Sequence, residues 1–292
     1  MSDNNLALVN DYNRIYKLER IPMRIVRFID PEGNVCLGAE QGENTAQILE
    51  GDLLSNPHDL VKTGKTAEIT RQLAPLIPPN IYCIGRNYAE HAKEGGADIP
   101  TTPVIFMKPT TAVTNPNSPV IIPACSSKNG EVDFEAELAV IIGKGGRNIA
   151  EEDALDHVFG YTVANDISAR KHQKHTGGGQ WIRGKSFDTF CPLGPAIVTA
   201  DEVSDPQDLP ISLTLNDQTM QFDNTKNMIF SVAFLISFIS RDTTLLPGTT
   251  ILTGTPSGVG FARKPPVWLQ AGDKMAVTVG SVGTLVNPVE SA

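Results

Sequence analysis

The sequence predicts a mainly β protein with few helices (α+β), folded as a closed or rolled β structure behind a small N-terminal α+β unit. Three observations predict it. Short apolar or alternating runs bounded by Pro and Gly turns recur along most of the chain. Helical periodicity is confined to a few segments. No strand–helix unit repeats, which argues against a doubly wound sheet or an α/β barrel.

Taken in order, residues 1–20 are polar and read as an N-terminal arm. Residues 21–75 read as a small α+β domain, with strands over 24–29 and 35–38 around the turn Asp30-Pro31-Glu32-Gly33. A helix is expected around residues 65–73. The stiff run Pro75-Leu76-Ile77-Pro78-Pro79-Asn80 marks a boundary, and residues 80–292 form the main domain. Strands are expected there at 103–107, 120–123, 138–142, 161–164, 211–215 and 250–254, and helices at 88–94, 151–158 and 228–240.

A chain of 292 residues with 40% apolar and 20% charged residues has ample core for a globular fold. Its net charge of −9, without a dense basic run, disfavours a nucleic-acid surface. The most apolar helical stretch, 228–239, is too short to span a bilayer, so no membrane partner is expected. Cys36, Cys83, Cys125 and Cys191 are scattered without zinc-like spacing and read as free thiols in a reducing compartment. The N-terminus lacks a basic-then-apolar segment, so the expected location is cytoplasmic.

The informative local pattern is Asp133-Phe134-Glu135-Ala136-Glu137, running into an apolar strand. In a strand Glu135 and Glu137 point to one face. Two adjacent anions repel unless a proton or cation lies between them, and a hard divalent cation takes carboxylate oxygens. A charged strand edge facing solvent explains the same pattern. Asp166, at the end of the 161–164 strand, could supply a third carboxylate or cap the following turn. The Gly-rich turn Thr253-Gly254-Thr255-Pro256-Ser257-Gly258 lacks a P-loop lysine; its N–H and hydroxyl groups could hold a small carboxylate or serve only the turn. His172 and His175 match an H-x-x-H pattern, but neighbouring cations favour a solvated basic turn, and His58 and His157 read as structural or exposed.

Together the motifs are more specific. Gly85-Arg86-Asn87-Tyr88-Ala89-Glu90-His91, Asp133-x-Glu135-x-Glu137, Asn165-Asp166-x-Ser168-Ala169-Arg170, Gly184-Lys185-Ser186-Phe187-Asp188-Thr189-Phe190, Pro247-Gly248 and Thr253-Gly254-Thr255-Pro256 follow one another over roughly residues 80–288. In this order and spacing the chain resembles the fumarylacetoacetate hydrolase family. The stretch from Gln180-Trp181 to Pro195, with Arg263-Lys264-Pro265-Pro266-Val267, is most similar to its branch called fumarylacetoacetate hydrolase domain-containing protein 2. The resemblance implies a mixed β-sandwich roll of the family's C-terminal type, a catalytic divalent cation and a homodimer. It implies Glu135, Glu137 and Asp166 as metal ligands, Lys185 facing the substrate, and His91 with Glu94 as a lid dyad. Arg86, Tyr88, Arg170, Gln173 and Thr255 are implied as substrate contacts. One departure is Lys171, where the family commonly has Asp, so a salt bridge from that position to Arg170 is not expected.

The chemistry that fits is a metal-stabilised enolate. A 2-oxo acid chelates one cation, and C–C cleavage, loss of CO₂ or movement of a C3 proton all place charge on the same oxygen. Mg²⁺ is the expected ion, with Mn²⁺ or Ca²⁺ as alternatives. His91 and Glu94, three residues apart on a helix, could form a base that activates water, with Gly95-Gly96 as a hinge. The leading expectation is therefore hydrolysis of a C–C bond in a 2,4-dioxo acid of the acylpyruvate type. The alternatives are an isomerase or tautomerase of oxaloacetate or a related enol acid, and an oxaloacetate decarboxylase. A binding protein without turnover fits less well, because His91, Glu94 and Lys185 are all present.

Overall fold

Strand Ala136–Ile142 is buried along its whole length, and the rest of the architecture follows from how its two faces are covered. In the computed structural model, which describes residues 23–126, 131–176 and 178–292, this strand lies inside the larger of two mixed sheets. The order across that sheet is Val61–Glu68, Thr45–Glu50, Val35–Glu40, Arg24–Ile29, Cys191–Thr199, Val158–Asn165, Ala136–Ile142, Thr250–Leu252, Ile81–Gly85 and Val104–Lys108. Neighbours are antiparallel except Thr250–Leu252 beside Ile81–Gly85. A second sheet runs Gln218–Asn224, Pro210–Leu215, Lys274–Val279, Gly283–Ser291 and Val120–Ile122.

Period-two alternation decides which residue meets which layer. Leu138, Val140 and Ile142 join Ile211, Leu213, Val277 and Leu285 of the second sheet in the main core. Ala139 and Ile141 point the other way, into a cluster with Ile81, Cys83, Phe106 and Leu252. This is the mainly β, few-helix (α+β) arrangement the sequence predicts. By the same parity Glu135 and Glu137 face away from the second sheet.

Among the described residues the α-helices are Ala89–Glu94, Arg170–Lys174, Ile182–Lys185 and Val232–Ser240, and residues Glu151–His157 form a 3-10 helix. The expected helix over 228–240 starts late. Ser231 Oγ accepts from Phe234 N at 3.0 Å and caps it, while the Asn87 side chain holds Phe230 outside the helix by bonding both its N–H and its C=O. The helix expected over 65–73 is absent: Val61–Glu68 and Arg71–Leu73 are strands, paired with Thr45–Glu50 and Arg24–Ile29. That segment has Thr66, Ile69 and Thr70 among weak helix formers, and pairing to a waiting sheet outweighs its local preference. Arg24↔Val198 and Ile25↔Ile197 join these N-terminal strands to the larger sheet. The arm expected over 1–20 lies outside the described residues. All four cysteines are free, and no helix among the described residues is long and apolar enough to cross a membrane.

Leu138 is fully buried between the sheets. Leu138→Ala is expected to lower stability by about 2–5 kcal/mol, read as a lower denaturant midpoint at unchanged slope. A loss below about 1 kcal/mol would contradict close packing between the two sheets.

Candidate active site

The carboxylates come together where two strands part. Ala136–Ile142 pairs with Val158–Asn165 from Ala136↔Asn165 onward, and Val132–Asp133 pairs with Ser168–Ala169. Between these ladders Asp166 N donates to Glu135 O at 2.8 Å, and Glu135 N donates to the Asn165 side chain at 2.9 Å. Glu137 lies opposite Ala164, so Asp166, two residues on, shares its face. One oxygen each of Glu135, Glu137 and Asp166 lies within 4.8 Å of the others, and all three residues are buried. Both flanking strands are in place, so the solvent-facing edge is excluded.

Three buried cations answer these acids. Lys185 Nζ donates to Glu135 Oε2 and Asp166 Oδ2, each at 2.7 Å. Arg170 donates through Nε and Nη2 to Asp133 Oδ2, and Nη2 also lies 2.7 Å from Glu135 Oε1. Arg170 Nη1 donates to Gln173 Oε1 at 3.0 Å. Arg170 is thus oriented by Asp133, Glu135 and Gln173. Asp133 itself is fixed by the N–H groups of Gly260 and Phe261 at 2.7 and 3.0 Å. Lys108, at the end of the strand Val104–Lys108, directs Nζ to the carbonyls of Ile167, Lys185 and Phe190. It also lies 2.7 Å from Asp166 Oδ1, an atom that accepts no hydrogen bond among the described residues.

Lys185 reaches this position because its helix packs tightly on Arg170–Lys174. A Cβ on Gly184 would lie 2.5 Å from Gln173 N and 2.7 Å from Ala169 O, so only glycine fits before the lysine. On the other side Gly254, at φ +99°, donates its N–H to Glu137 Oε2 at 2.7 Å. Thr255 Oγ1 is held by Gln221 Nε2 at 2.8 Å.

The electrostatics of the two glutamates differ. Burial would raise the Glu135 carboxyl, but Lys185 and Arg170 outweigh it and hold it below the usual carboxylate range. Glu137 is pushed well above that range by burial, then by Asp166 and Glu135, against weaker help from Lys185 and the Gly254 N–H. Lys185 is raised: the charges of Asp166 and Glu135 overcome a burial that alone would lower it.

A cavity of about 320 Å³ opens onto this constellation. His91, Lys185, Glu135 and Glu137 line it, as do Arg86, Arg170, Gln173 and Thr255. Asp166 lies behind Lys185, and Glu94 lies behind His91. The Glu94 carboxylate accepts from His91 Nδ1 at 2.8 Å and from Gly258 N at 2.8 Å, which ties the helix Ala89–Glu94 to the Gly-rich turn. Tyr88 is not on the wall; its hydroxyl is buried without a hydrogen-bond partner among the described residues. His172 packs edge-on against Phe187, and His157 Nδ1 lies 2.7 Å from Lys144 O, so neither joins a metal cluster among the described residues. The side chain of His58 is outside the described residues. The sequence reading gave no role to Asp133, Lys108, Gln221 or Trp181. Asp133 shares the parity of Glu135 and Glu137, a signal that was present; Lys108, ending an apolar strand, carried none.

Four buried carboxylates face three buried cations, Lys108, Arg170 and Lys185, and Glu137 has no cation bonded to it. Three buried carboxylates with oxygens close together, one of them Glu137 with no cation bonded to it, fit a hard divalent cation.

Residues 80–290 match the family model described as fumarylacetoacetate (FAA) hydrolase C-terminal. The chain is 47% identical to "Oxaloacetate tautomerase fahd2, mitochondrial" of Xenopus laevis over 251 residues, 86% of this chain and 76% of that protein. It is 45% identical to "Oxaloacetate tautomerase FAHD2A, mitochondrial" of Bos taurus, covering 86% and 77%. The crystal structure of 2-hydroxyhepta-2,4-diene-1,7-dioate isomerase from Mycobacterium marinum superposes with a TM-score of 0.77 at 38% identity, covering 92% of this chain and 98% of that one. This matches the expected roll. The cytoplasmic location expected from the N-terminus is contradicted, because both named relatives are mitochondrial proteins. Absence of a secretory pattern does not separate those compartments.

Glu137→Gln replaces a buried carboxyl, which no cation contacts and which folding pushes well above its usual range, with a neutral isostere. Metal-free protein is expected to gain stability on the order of 1–4 kcal/mol and to lose its thermal shift with Mg²⁺. A destabilised variant that kept the Mg²⁺ shift would contradict the assignment of Glu137.

Proposed function

The chain belongs to the fumarylacetoacetate hydrolase family, and we propose that it is a divalent-cation-dependent tautomerase of an enolisable 2-oxo acid of the oxaloacetate class. One observation carries the reading: a single imidazole, His91, held by Glu94, faces the same cavity as Glu135, Glu137 and Lys185. The tautomerase and isomerase names of the relatives weigh for proton transfer over the C–C hydrolysis first expected from the sequence. Mg²⁺ suits the oxygen ligands best, with Mn²⁺ and Ca²⁺ as alternatives.

A cation held by Glu135, Glu137 and Asp166 would supply Lewis-acid stabilisation of charge on the 2-oxygen, worth several kcal/mol. Lys185 aims a second positive group at that oxygen. Arg170, held rigid by Asp133, and Gln173 orient the acid, and Thr255 with its Gln221 partner offers a hydroxyl to a carboxylate. Glu94 accepts from Nδ1–H of His91, which leaves Nε2 to carry the reacting proton. In the enol-to-keto direction Nε2 takes the proton from the 2-oxygen and delivers it to C3, so the imidazole ends as it began; the keto-to-enol direction moves the same proton back from C3 to the 2-oxygen. No water is consumed, and Phe106, Trp181 and Phe261 on the wall keep solvent from C3.

Purified Mg²⁺-loaded protein is expected to speed the loss of enol-oxaloacetate absorbance above the buffer-plus-Mg²⁺ rate. His91→Asn should reduce that rate by about 10²–10⁴-fold. Release of pyruvate from an acylpyruvate, with no effect on the enol, would replace this reading by the hydrolase one.

A further inference from the structure

Two cations on the cavity wall have no carboxylate to answer them. Arg170 and Lys185 are matched by Asp133, Glu135 and Asp166. Arg86 and Lys174 line the same cavity, yet neither has an ion-pair partner among the described residues. Each rests on an aromatic ring instead: Lys174 Nζ is 3.3 Å from the centroid of Phe261, and the Arg86 guanidinium is 5.3 Å from that of Trp181.

Both placements are built into the backbone. Lys174 lies one helical turn after Arg170, so the two side chains leave one face of the helix Arg170–Lys174. Arg86 follows the strand Ile81–Gly85 with φ of +59°, a left-handed conformation uncommon outside glycine. Gly85 before it makes room for Trp181, since a Cβ there would lie 2.3 Å from the ring. Burial also grades the cavity: Lys185 and Arg170 are 1% and 3% exposed, Arg86 is half-buried and Lys174 is exposed. The cavity therefore runs from a buried acid end to a cationic mouth. Burial, then Arg170 and Arg86, push the Lys174 ammonium down to about 8 against the pull of Asp133 and Glu135.

We propose that Lys174, together with Arg86, forms a subsite for a second carboxylate and makes the chain selective for dicarboxylic over monocarboxylic 2-oxo acids. The inference rests on the reading that the buried end takes a 2-oxo acid. A ligand anchored there by its 2-oxo acid group extends its other end toward the mouth. A small cavity suits a short diacid better than a bulky anion.

Malate and lactate differ by this one carboxylate, and oxalate fills only the inner end. Titration calorimetry of Mg²⁺-loaded protein with the three acids tests the subsite. Wild type is expected to favour malate over lactate by about tenfold, and K174M to lose about that factor for malate alone. K174R should keep malate within about threefold, because it keeps the charge. Equal weakening of all three acids in K174M, or malate binding unchanged by it, would overturn the proposal. If wild type ketonised no enol-oxaloacetate but still discriminated malate through Lys174, the tautomerase reading would fail and the subsite would stand.

Discussion

One more carboxyl than cation is buried where the strands Ala136–Ile142 and Val158–Asn165 separate, and the surrounding elements are arranged around it. Burying a carboxylate costs several kcal/mol unless charge and hydrogen bonds compensate. Asp133, Glu135 and Asp166 obtain that compensation from Arg170, Lys185 and Lys108. Each of those cations fixes another part of the chain. Arg170 holds the helix Arg170–Lys174 to Asp133, and through Asp133 to the turn at Gly260 and Phe261. Lys108 gathers the carbonyls of Ile167, Lys185 and Phe190. Glu137 alone among the four is contacted by no cation and accepts instead from the backbone N–H of Gly254.

The functional consequence follows from the same count. Four carboxyls share three cations, and Glu137, pushed well above the usual carboxylate range, favours its proton while no cation is bound. A divalent cation there would displace that proton and supply the positive charge that an anionic 2-oxo acid needs. Glu135 and Glu137 therefore provide the electrophilic end but do not select the reaction. Selection falls to groups farther out: the His91–Glu94 pair, which carries a proton, and the aromatic and cationic residues that shape the mouth.

Much of this was legible in the sequence because strand parity is a strict code. Parity puts Glu135 and Glu137 on one face, the family resemblance adds Asp166 to them, and the i,i+3 spacing of His91 and Glu94 lets those two touch. The 65–73 segment was misread because its pattern suits a helix locally, while its conformation is decided by distant strands 45–50 and 24–29. Lys108 is invisible for a related reason: a lysine ending an apolar strand looks like a solvated terminus, and its three carbonyl partners come from two loops and a helix end some sixty to eighty residues away. The Lys171 departure looked consequential from sequence alone, yet Asp133, 37 residues upstream of Arg170, does the orienting.

The central claim is that the Glu137 carboxyl belongs to a divalent-cation site shared with Glu135 and Asp166. A crystal grown or soaked with Mn²⁺ and measured for anomalous scattering tests it most directly. The account predicts a peak in contact with an oxygen of each of the three carboxylates. A peak elsewhere, or none while Lys185 still bridges Glu135 and Asp166, would contradict it.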